Sequence, residues 1–137
     1  MSSERWGATV LLFSCAASAG AHAGLVPAHL SGEPRLGAAF IAAVVLLVAA
    51  AAAVAVRPRD RRIMSMAGLL LAGLMFAFLA SRTTGIPVLD PEPEPVDVVG
   101  VATNAVEVLG ILIALWLIHP LGRHGRLTQN HLQEVSQ

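Results

Sequence analysis

The sequence contains no lysine and a single cysteine, and charged residues make up only 13% of its 137 residues. Because Cys15 is alone, an intramolecular disulfide and a metal site built from several cysteines are excluded. The sequence also lacks a nucleotide-binding loop, a serine elbow and a zinc-protease helix motif, so it gives little support to an enzyme. Its arginine cluster at 57–62 fits a short loop beside lipid headgroups, and nucleic acid is not expected as a partner.

Hydrophobic residues make up 55% of the chain and occur in four long runs. At about 1.5 Å of rise per residue, roughly 20 residues in a helix cross the hydrocarbon core of a bilayer. We therefore predict an all-α polytopic membrane protein, a four-helix transmembrane bundle of up-down-up-down topology. The whole chain, 1–137, would form a single membrane domain. Its transmembrane helices are expected at about 6–29, 36–56, 63–80 and 97–118.

The arginines predict the orientation of this bundle. They are concentrated in the loop 57–62 and in the tail 119–137, whereas the other two loops are poor in arginine and contain several acids. By the positive-inside rule, both termini and the loop 57–62 face the cytoplasm, and residues 81–96 form an outer acidic, proline-rich loop. We therefore expect a multi-pass protein of a bacterial plasma membrane, with the lipid bilayer as its first partner.

The first helix has an alternative fate. The segment Ala21-His22-Ala23 resembles a signal-peptidase site that follows an apolar region, and cleavage there would leave three helices. Against cleavage, the amino end carries one arginine beside one glutamate, and the apolar stretch continues to Pro27. We expect the first helix to be retained.

Glu107 is the most informative residue of the sequence, because it lies near the middle of the fourth apolar run. An ionisable side chain at that depth is costly and is therefore expected to have a function or a partner. Asp97, Asn104 and Glu107 recur at helical spacings, so they share one face of the fourth helix. That face is expected to point into the bundle or into an oligomer interface.

Other polar residues lie at the same end of the bundle. His22 and His29 are seven residues apart on the first helix and share a face, Glu33 follows, and Arg82 closes the third helix. By helical rise, His22 lies roughly 10 Å below His29, and Glu107 roughly 15 Å below Asp97. The sequence thus predicts a water-accessible pocket that opens outward. Its ligand or proton site would comprise His22, His29, Glu33, Arg82, Asp97, Asn104 and Glu107.

Several interpretations of these residues stay open at this point. Glu107 could pair with Arg82 or accept a hydrogen bond from His22, and serve only as internal glue. His29 and Glu33 could hold a divalent metal ion, since imidazole and carboxylate suit zinc, copper or nickel. The cofactor is otherwise unknown. Haem is not expected, because His22 and His29 lie on one helix and cannot supply opposite axial ligands.

The outer loop also has two interpretations. Its alternating prolines favour an extended chain that spreads acidic residues along its length. A solvated connector is the interpretation that we favour, and a lid or cation-collecting strip over the bundle is the alternative. The loop begins with a turn in which Gly85 allows a positive φ, Pro87 stops the helix, and Arg82 is expected to be held against Glu107 or Glu33. The residues of this turn are Ser81, Thr83, Thr84, Gly85 and Pro87.

Small residues four apart predict close helix contacts in lipid. These pairs are Gly20 with Gly24, Gly68 with Ala72, and Gly110 with Ala114.

The chain resembles a family of small, uncharacterised four-helix bacterial membrane proteins. The resemblance lies in a His-Leu-x-x-Glu segment at 29–33 and a Ser-Arg-Thr-x-Gly-x-Pro segment at 81–87, followed by an acidic proline-rich linker and a glutamate in the fourth helix. It covers most of the chain, and the segment 81–87 is its most specific part. The resemblance implies that these residues act together: His29, Glu33, Arg82, Gly85, Pro87 and Glu107. It does not imply an activity.

Two function classes follow. In the first, the outer pocket binds a metal cation or a proton, with Glu107 as the deep carboxylate and the histidines as titratable or ligating groups. Transport by so small a bundle would require a homo-oligomer. In the second, the chain is an accessory subunit or assembly factor that docks a larger membrane protein through the same polar face.

Overall fold

The protein is a bundle of four helices in a computed structural model, which describes residues 3–87, 89 and 91–119. The helices are α1 (Ser3–Gly32), α2 (Pro34–Val56), α3 (Arg61–Thr83) and α4 (Val98–Ile118). All four are long and apolar enough to cross a membrane. The predicted all-α transmembrane bundle is therefore confirmed, and the chain is an integral membrane protein.

The ends of the helices are set by ordinary capping chemistry. Pro34 begins α2, where its missing N–H and fixed φ cost nothing. The carboxylate of Asp60 accepts from the backbone N–H of Arg62 at the start of α3 (2.9 Å), and that of Asp97 accepts from Gly100 at the start of α4 (2.7 Å). A side-chain acceptor at this position satisfies one of the free N–H groups of the first turn. Gly85 follows α3 with a φ of 69°, the conformation expected from the sequence.

The helices pack around a square. α1 packs most extensively against α2, and α4 packs against both α1 and α3. α2 and α3 share fewer contacts than these neighbours do, and α1 and α3 touch only slightly across the diagonal. Leu11, Leu47 and Leu71, from three different helices, are fully buried in the centre. The bundle is thus closely packed through its middle and has room between α2 and α3.

The two ends of the bundle differ in character. At one end, which we call the Trp116 end, a side chain added at Gly7 would meet the ring of Trp116, so the start of α1 lies against the end of α4. Trp6 and Trp116 are both largely exposed there, as amphipathic rings are at a membrane interface. At the other end, which we call the Arg82 end, α1 joins α2 and the segment 84–97 connects α3 to α4. The tail 120–137, including its histidines and arginines, lies outside the described residues.

Close approach of helices occurs at two of the three pairs of small residues. A β-carbon added at Gly68 would lie 2.8 Å from the β-carbon of Ala114, and one added at Gly110 would lie 2.5 Å from Leu71. α3 and α4 therefore approach each other closely at these glycines, with small or flexible side chains between them. The same expectation for Gly20 and Gly24 is wrong, because nothing lies within 4 Å of either position. Those two glycines are on an exposed side of α1.

These contacts predict that Gly68→Ala destabilises the bundle. The β-carbon of Ala114 is fixed to its helix and cannot rotate away, so α3 and α4 must separate. We expect the free energy of unfolding to fall by about 1–3 kcal/mol, the usual cost of overpacking. Gly73→Ala is the matched control on the same helix, since nothing lies within 4 Å of that position. Thermal unfolding in mild detergent measures both variants, and equal stability would contradict the packing.

Candidate functional site

A cavity of about 150 Å³ lies inside the Arg82 end of the bundle. All four helices and the segment 84–97 contribute to its wall. Five residues predicted for the ligand or proton site line it: His22, Arg82, Asp97, Asn104 and Glu107. The structure thus brings most of the predicted residues to one place.

Glu107 lies at the deep end of the cavity. It is 1% exposed, and its carboxylate accepts a hydrogen bond of 2.7 Å from the hydroxyl of Ser18 on α1. Ser18 is itself 1% exposed. Within the described part of the chain, no arginine or histidine lies within ion-pairing distance of Glu107. The expected pairing of Glu107 with Arg82 is therefore wrong. The side chain that donates a hydrogen bond to Glu107 is Ser18, and not His22 as the sequence suggested.

His22 lies one helical turn above Ser18 on the same face of α1. Its Nδ1 is 2.8 Å from the backbone carbonyl of Ser18 and 3.5 Å from the Ser18 hydroxyl. A neutral imidazole in this position donates from Nδ1 to the carbonyl, which leaves Nε2 as the acceptor. Ser18 consequently connects His22 to Glu107. Sequence reasoning missed Ser18, although its spacing of four residues before His22 placed both on one face.

His29 has a similar local arrangement near the end of α1. Its Nδ1 lies 2.9 Å from the carbonyl of Leu25, and its ring packs on Phe40 at a centroid distance of 4.5 Å. Phe40 also contacts the ring of His22, with centroids 5.4 Å apart, so one phenylalanine of α2 supports both imidazoles. The nearest carboxylate oxygen described for His29 belongs to Glu94, 3.9 Å from Nε2.

Glu33 does not join the cavity. α1 ends at Gly32, and Glu33 is the exposed residue that precedes α2. The residues described hold no group of three or more histidine, cysteine or acidic side chains arranged for a metal ion. A metal site at His29 and Glu33 stays a prediction from the sequence.

Arg82 links the last turn of α3 to two acids, and we call this group, Arg82 with Glu94 and Asp97, the Arg82 clamp. One guanidinium nitrogen bonds the carboxylate of Glu94, and the other donates to Asp97 at 2.8 Å. The second carboxylate oxygen of Asp97 caps α4 at Gly100. The expectation that Arg82 contacts Glu107 or Glu33 is wrong, because Asp97 lies at the level of Arg82 and Glu107 lies about three turns deeper.

The clamp folds part of the segment 84–97 onto the bundle. The backbone N–H of Glu94 donates to the carbonyl of Ser81 (2.9 Å), and Ile86, Leu89 and Glu94 line the cavity. Pro91 and Pro93 are exposed. Part of the loop therefore forms one wall of the cavity and is not a fully solvated connector. The alternative, a lid or cation-collecting strip over the bundle, stays a prediction. Sequence reasoning did not identify Glu94 individually, although it follows Arg82 by twelve residues in an acidic stretch.

The hydroxyls of the motif turn are used by the backbone. Those of Ser81, Thr83 and Thr84 donate to carbonyls of the last turns of α3: to Phe78, Leu79 and Ala80, respectively. On α4, the amide of Asn104 donates to the carbonyl of Gly100 (3.0 Å). These bonds reduce the cost of polar groups at helix ends in lipid. The turn thus ends α3 and presents Arg82 to the clamp.

In comparisons with protein-family models, curated proteins and solved structures, no match to this chain was found. The resemblance of the segments 29–33 and 81–87 to a family of small bacterial membrane proteins therefore stays a prediction. The geometry of the cavity is the basis for an assignment of function.

The Arg82 clamp predicts that Arg82→Gln loosens the segment 84–97. The Arg82 side chain is 13% exposed, and hydrogen bonds to charged groups contribute about 1.5–3 kcal/mol each. We expect hydrogen exchange at the amide of Glu94 to accelerate roughly tenfold or more, since about 1.4 kcal/mol is a factor of ten. Arg35→Gln is the control, because Arg35 is exposed and outside the clamp. Equal exchange rates in the two variants would contradict the clamp.

Proposed function

We propose that this integral membrane protein binds a small cation or a proton at Glu107, in a cavity that opens toward the outer side of the membrane. The proposal rests on the burial of Glu107 and on its hydrogen-bond partner. Glu107 is a buried carboxylate that borders a cavity and, among the described residues, has a serine hydroxyl as its hydrogen-bond partner.

The energetic cost of Glu107 supports this proposal. An ionised carboxylate buried without an opposite charge costs several kcal/mol, and a single hydrogen bond from a neutral hydroxyl offsets only part of that. Arg82, which could neutralise it, is already bonded to Glu94 and Asp97. A proton on Glu107 or a cation in the cavity removes the cost. The same site can therefore exchange one for the other.

His22 has a supporting role in this proposal. Its Nδ1 is held at the carbonyl of Ser18, so the ring is oriented with Nε2 available to accept a proton. Ser18 lies between the imidazole and the carboxylate of Glu107. The three residues form a short path along which a proton can reach Glu107 from the wider part of the cavity.

A role as an accessory subunit is less well supported by the position of these groups. A docking face would present its polar side chains on the surface of the bundle. Glu107 and Ser18 instead lie inside it, and reaching them would require α1 and α4 to separate. This alternative predicts binding of a partner that is independent of the Glu107 carboxylate.

We further propose that the Arg82 end faces outward in a bacterial plasma membrane, with both termini in the cytoplasm. The arginine-rich loop at the Trp116 end supports this orientation by the positive-inside rule.

The orientation predicts the labelling of single cysteines in intact cells. In a Cys15→Ser background, Thr83→Cys should react with an impermeant maleimide added outside, and Arg59→Cys should react only after the cells are opened. Both positions are exposed and lie at opposite ends of the bundle. The reverse pattern would contradict the orientation without affecting the assignment of Glu107.

Binding of a proton or a cation at Glu107 predicts a reaction with dicyclohexylcarbodiimide, an apolar reagent that modifies protonated carboxyl groups. We expect mass spectrometry to find Glu107 modified in the purified protein. Because only the protonated form reacts, modification should decrease severalfold as the pH rises or when a cation occupies the cavity. Glu107→Gln should abolish this modification, whereas Glu4→Gln, a change at an exposed acid, should leave it unchanged. Modification that responds to neither protons nor added cations would refute the proposal.

A further inference from the structure

The wall of the cavity has two chemically distinct parts. Apolar side chains from α1, α2 and α3 form most of it, among them Leu25, Leu36, Phe40, Ala43 and Leu74. The charged side chains are confined to the deep end, at Glu107, and to the rim, at the Arg82 clamp. A ligand that fits this cavity must therefore combine a charged group with an apolar surface.

The charge of the cavity selects the sign of the ligand. Its lining contains three carboxylates, those of Glu94, Asp97 and Glu107, and one guanidinium, that of Arg82. With the acids ionised and His22 neutral, the net charge of this lining is minus two. A cleft of one sign with low-dielectric walls concentrates ions of the opposite sign. Cations are favoured and anions are repelled.

A bare metal ion is a poor match to the deep end. Zinc takes about four protein or water ligands, and calcium takes roughly six to eight oxygen ligands. Glu107 is the one carboxylate at this end of the lining, and its hydrogen-bond partner Ser18 is neutral. The described residues hold no group of three or more histidine, cysteine or acidic side chains that could hold a metal ion. The neighbouring apolar walls cannot replace the missing ligands or support a hydration shell.

The volume limits the size of the ligand. An apolar cavity of about 150 Å³ in another protein admits benzene. The present cavity has about the same volume. Its occupant is therefore no larger than a single ring or a short branched chain that carries a polar head.

We infer that the cavity binds a small organic amine, with the ammonium group at the carboxylate of Glu107 and the apolar body against Phe40 and the leucines of α1, α2 and α3. This inference rests on the proposed function and adds the class of ligand to it. The ammonium group supplies the positive charge that Glu107 lacks, and burial of the body removes apolar surface from water. A molecule with only the ammonium group or only the apolar body would match only one of the two parts of the cavity wall.

Benzylamine is the test ligand that matches this description, and benzyl alcohol is its neutral counterpart of nearly the same shape. Isothermal titration of the purified full-length protein in mild detergent should detect saturable binding of benzylamine. Benzyl alcohol should bind at least about tenfold more weakly, since a charge-assisted hydrogen bond is worth more than the 1.4 kcal/mol that a factor of ten represents. Equal binding of the two molecules would overturn the inference, because it would identify an apolar cavity that does not recognise charge.

Two variants separate the charge from the shape. Glu107→Gln keeps an oxygen acceptor for Ser18 and removes the charge, so it should weaken benzylamine binding by at least about tenfold. Ala43→Leu fills the cavity from α2 and should also weaken benzylamine binding while Glu107 stays in place. Glu4→Gln, a change at an exposed acid of α1, is the matched control and should bind benzylamine normally. Circular dichroism and gel filtration verify that each variant is folded.

The carbodiimide reaction distinguishes failure of this inference from failure of the proposed function. Benzylamine should slow the modification of Glu107 in the natural protein and do so less in Ala43→Leu. If benzylamine has no effect but sodium, potassium or magnesium ions slow the reaction, the organic-amine inference is overturned and the cation site stands. If none of these cations and no change of pH alters the reaction, both proposals fail.

Discussion

The hydrogen bond between Ser18 and Glu107 is the interaction on which the account depends. It joins α1 to α4 in the middle of a bundle whose buried residues are mostly apolar. A carboxylate at this depth is costly even with one hydroxyl donor, so its presence constrains the surrounding structure. The close packing of α3 on α4 through Gly68 and Ala114 lies farther toward the Trp116 end, and the cavity lies on the other side of Glu107. Glu107 thus borders the closely packed part of the bundle and the open part.

The Arg82 clamp organises the open part. Arg82 is the positively charged side chain that the sequence placed nearest to Glu107, yet two acids near the start of α4 hold it at the rim. The arrangement has two effects. It folds part of the acidic loop into the wall of the cavity, and it leaves Glu107 without a compensating guanidinium among the described residues. The positive charge missing at the deep end is what we assign to the ligand.

The apolar runs predicted the four helices, because roughly 20 consecutive apolar residues have few stable structures other than a membrane-spanning helix. Helical spacing also placed Asp97, Asn104 and Glu107 on one face, and the cavity contains all three. The partners of these groups were not predictable in the same way. Periodicity along one helix gives a face and a depth, but the choice between Arg82, His22 and Ser18 depends on the rotation and tilt of a different helix. The inward turn of Glu94 was likewise hidden, since a proline-rich acidic segment has no periodicity that points to a partner.

The glycines illustrate the same limit. Gly20 and Gly24 have the same spacing as Gly68 and Ala72. Nothing lies within 4 Å of a β-carbon added at Gly20 or Gly24, whereas one added at Gly68 would meet the β-carbon of Ala114 on α4. Spacing identifies a surface that permits close approach, and only the packed bundle determines whether a neighbour uses it.

The most direct test of the central claim is infrared difference spectroscopy of the purified protein in lipid, recorded with and without benzylamine. If Glu107 exchanges a proton for the ligand, the carbonyl band of a protonated carboxyl should disappear and carboxylate bands should appear when benzylamine binds. Glu107→Gln should lack both changes. A spectrum in which benzylamine binding leaves the carboxyl bands of the natural protein unaltered, or alters them equally in Glu107→Gln, would contradict the account.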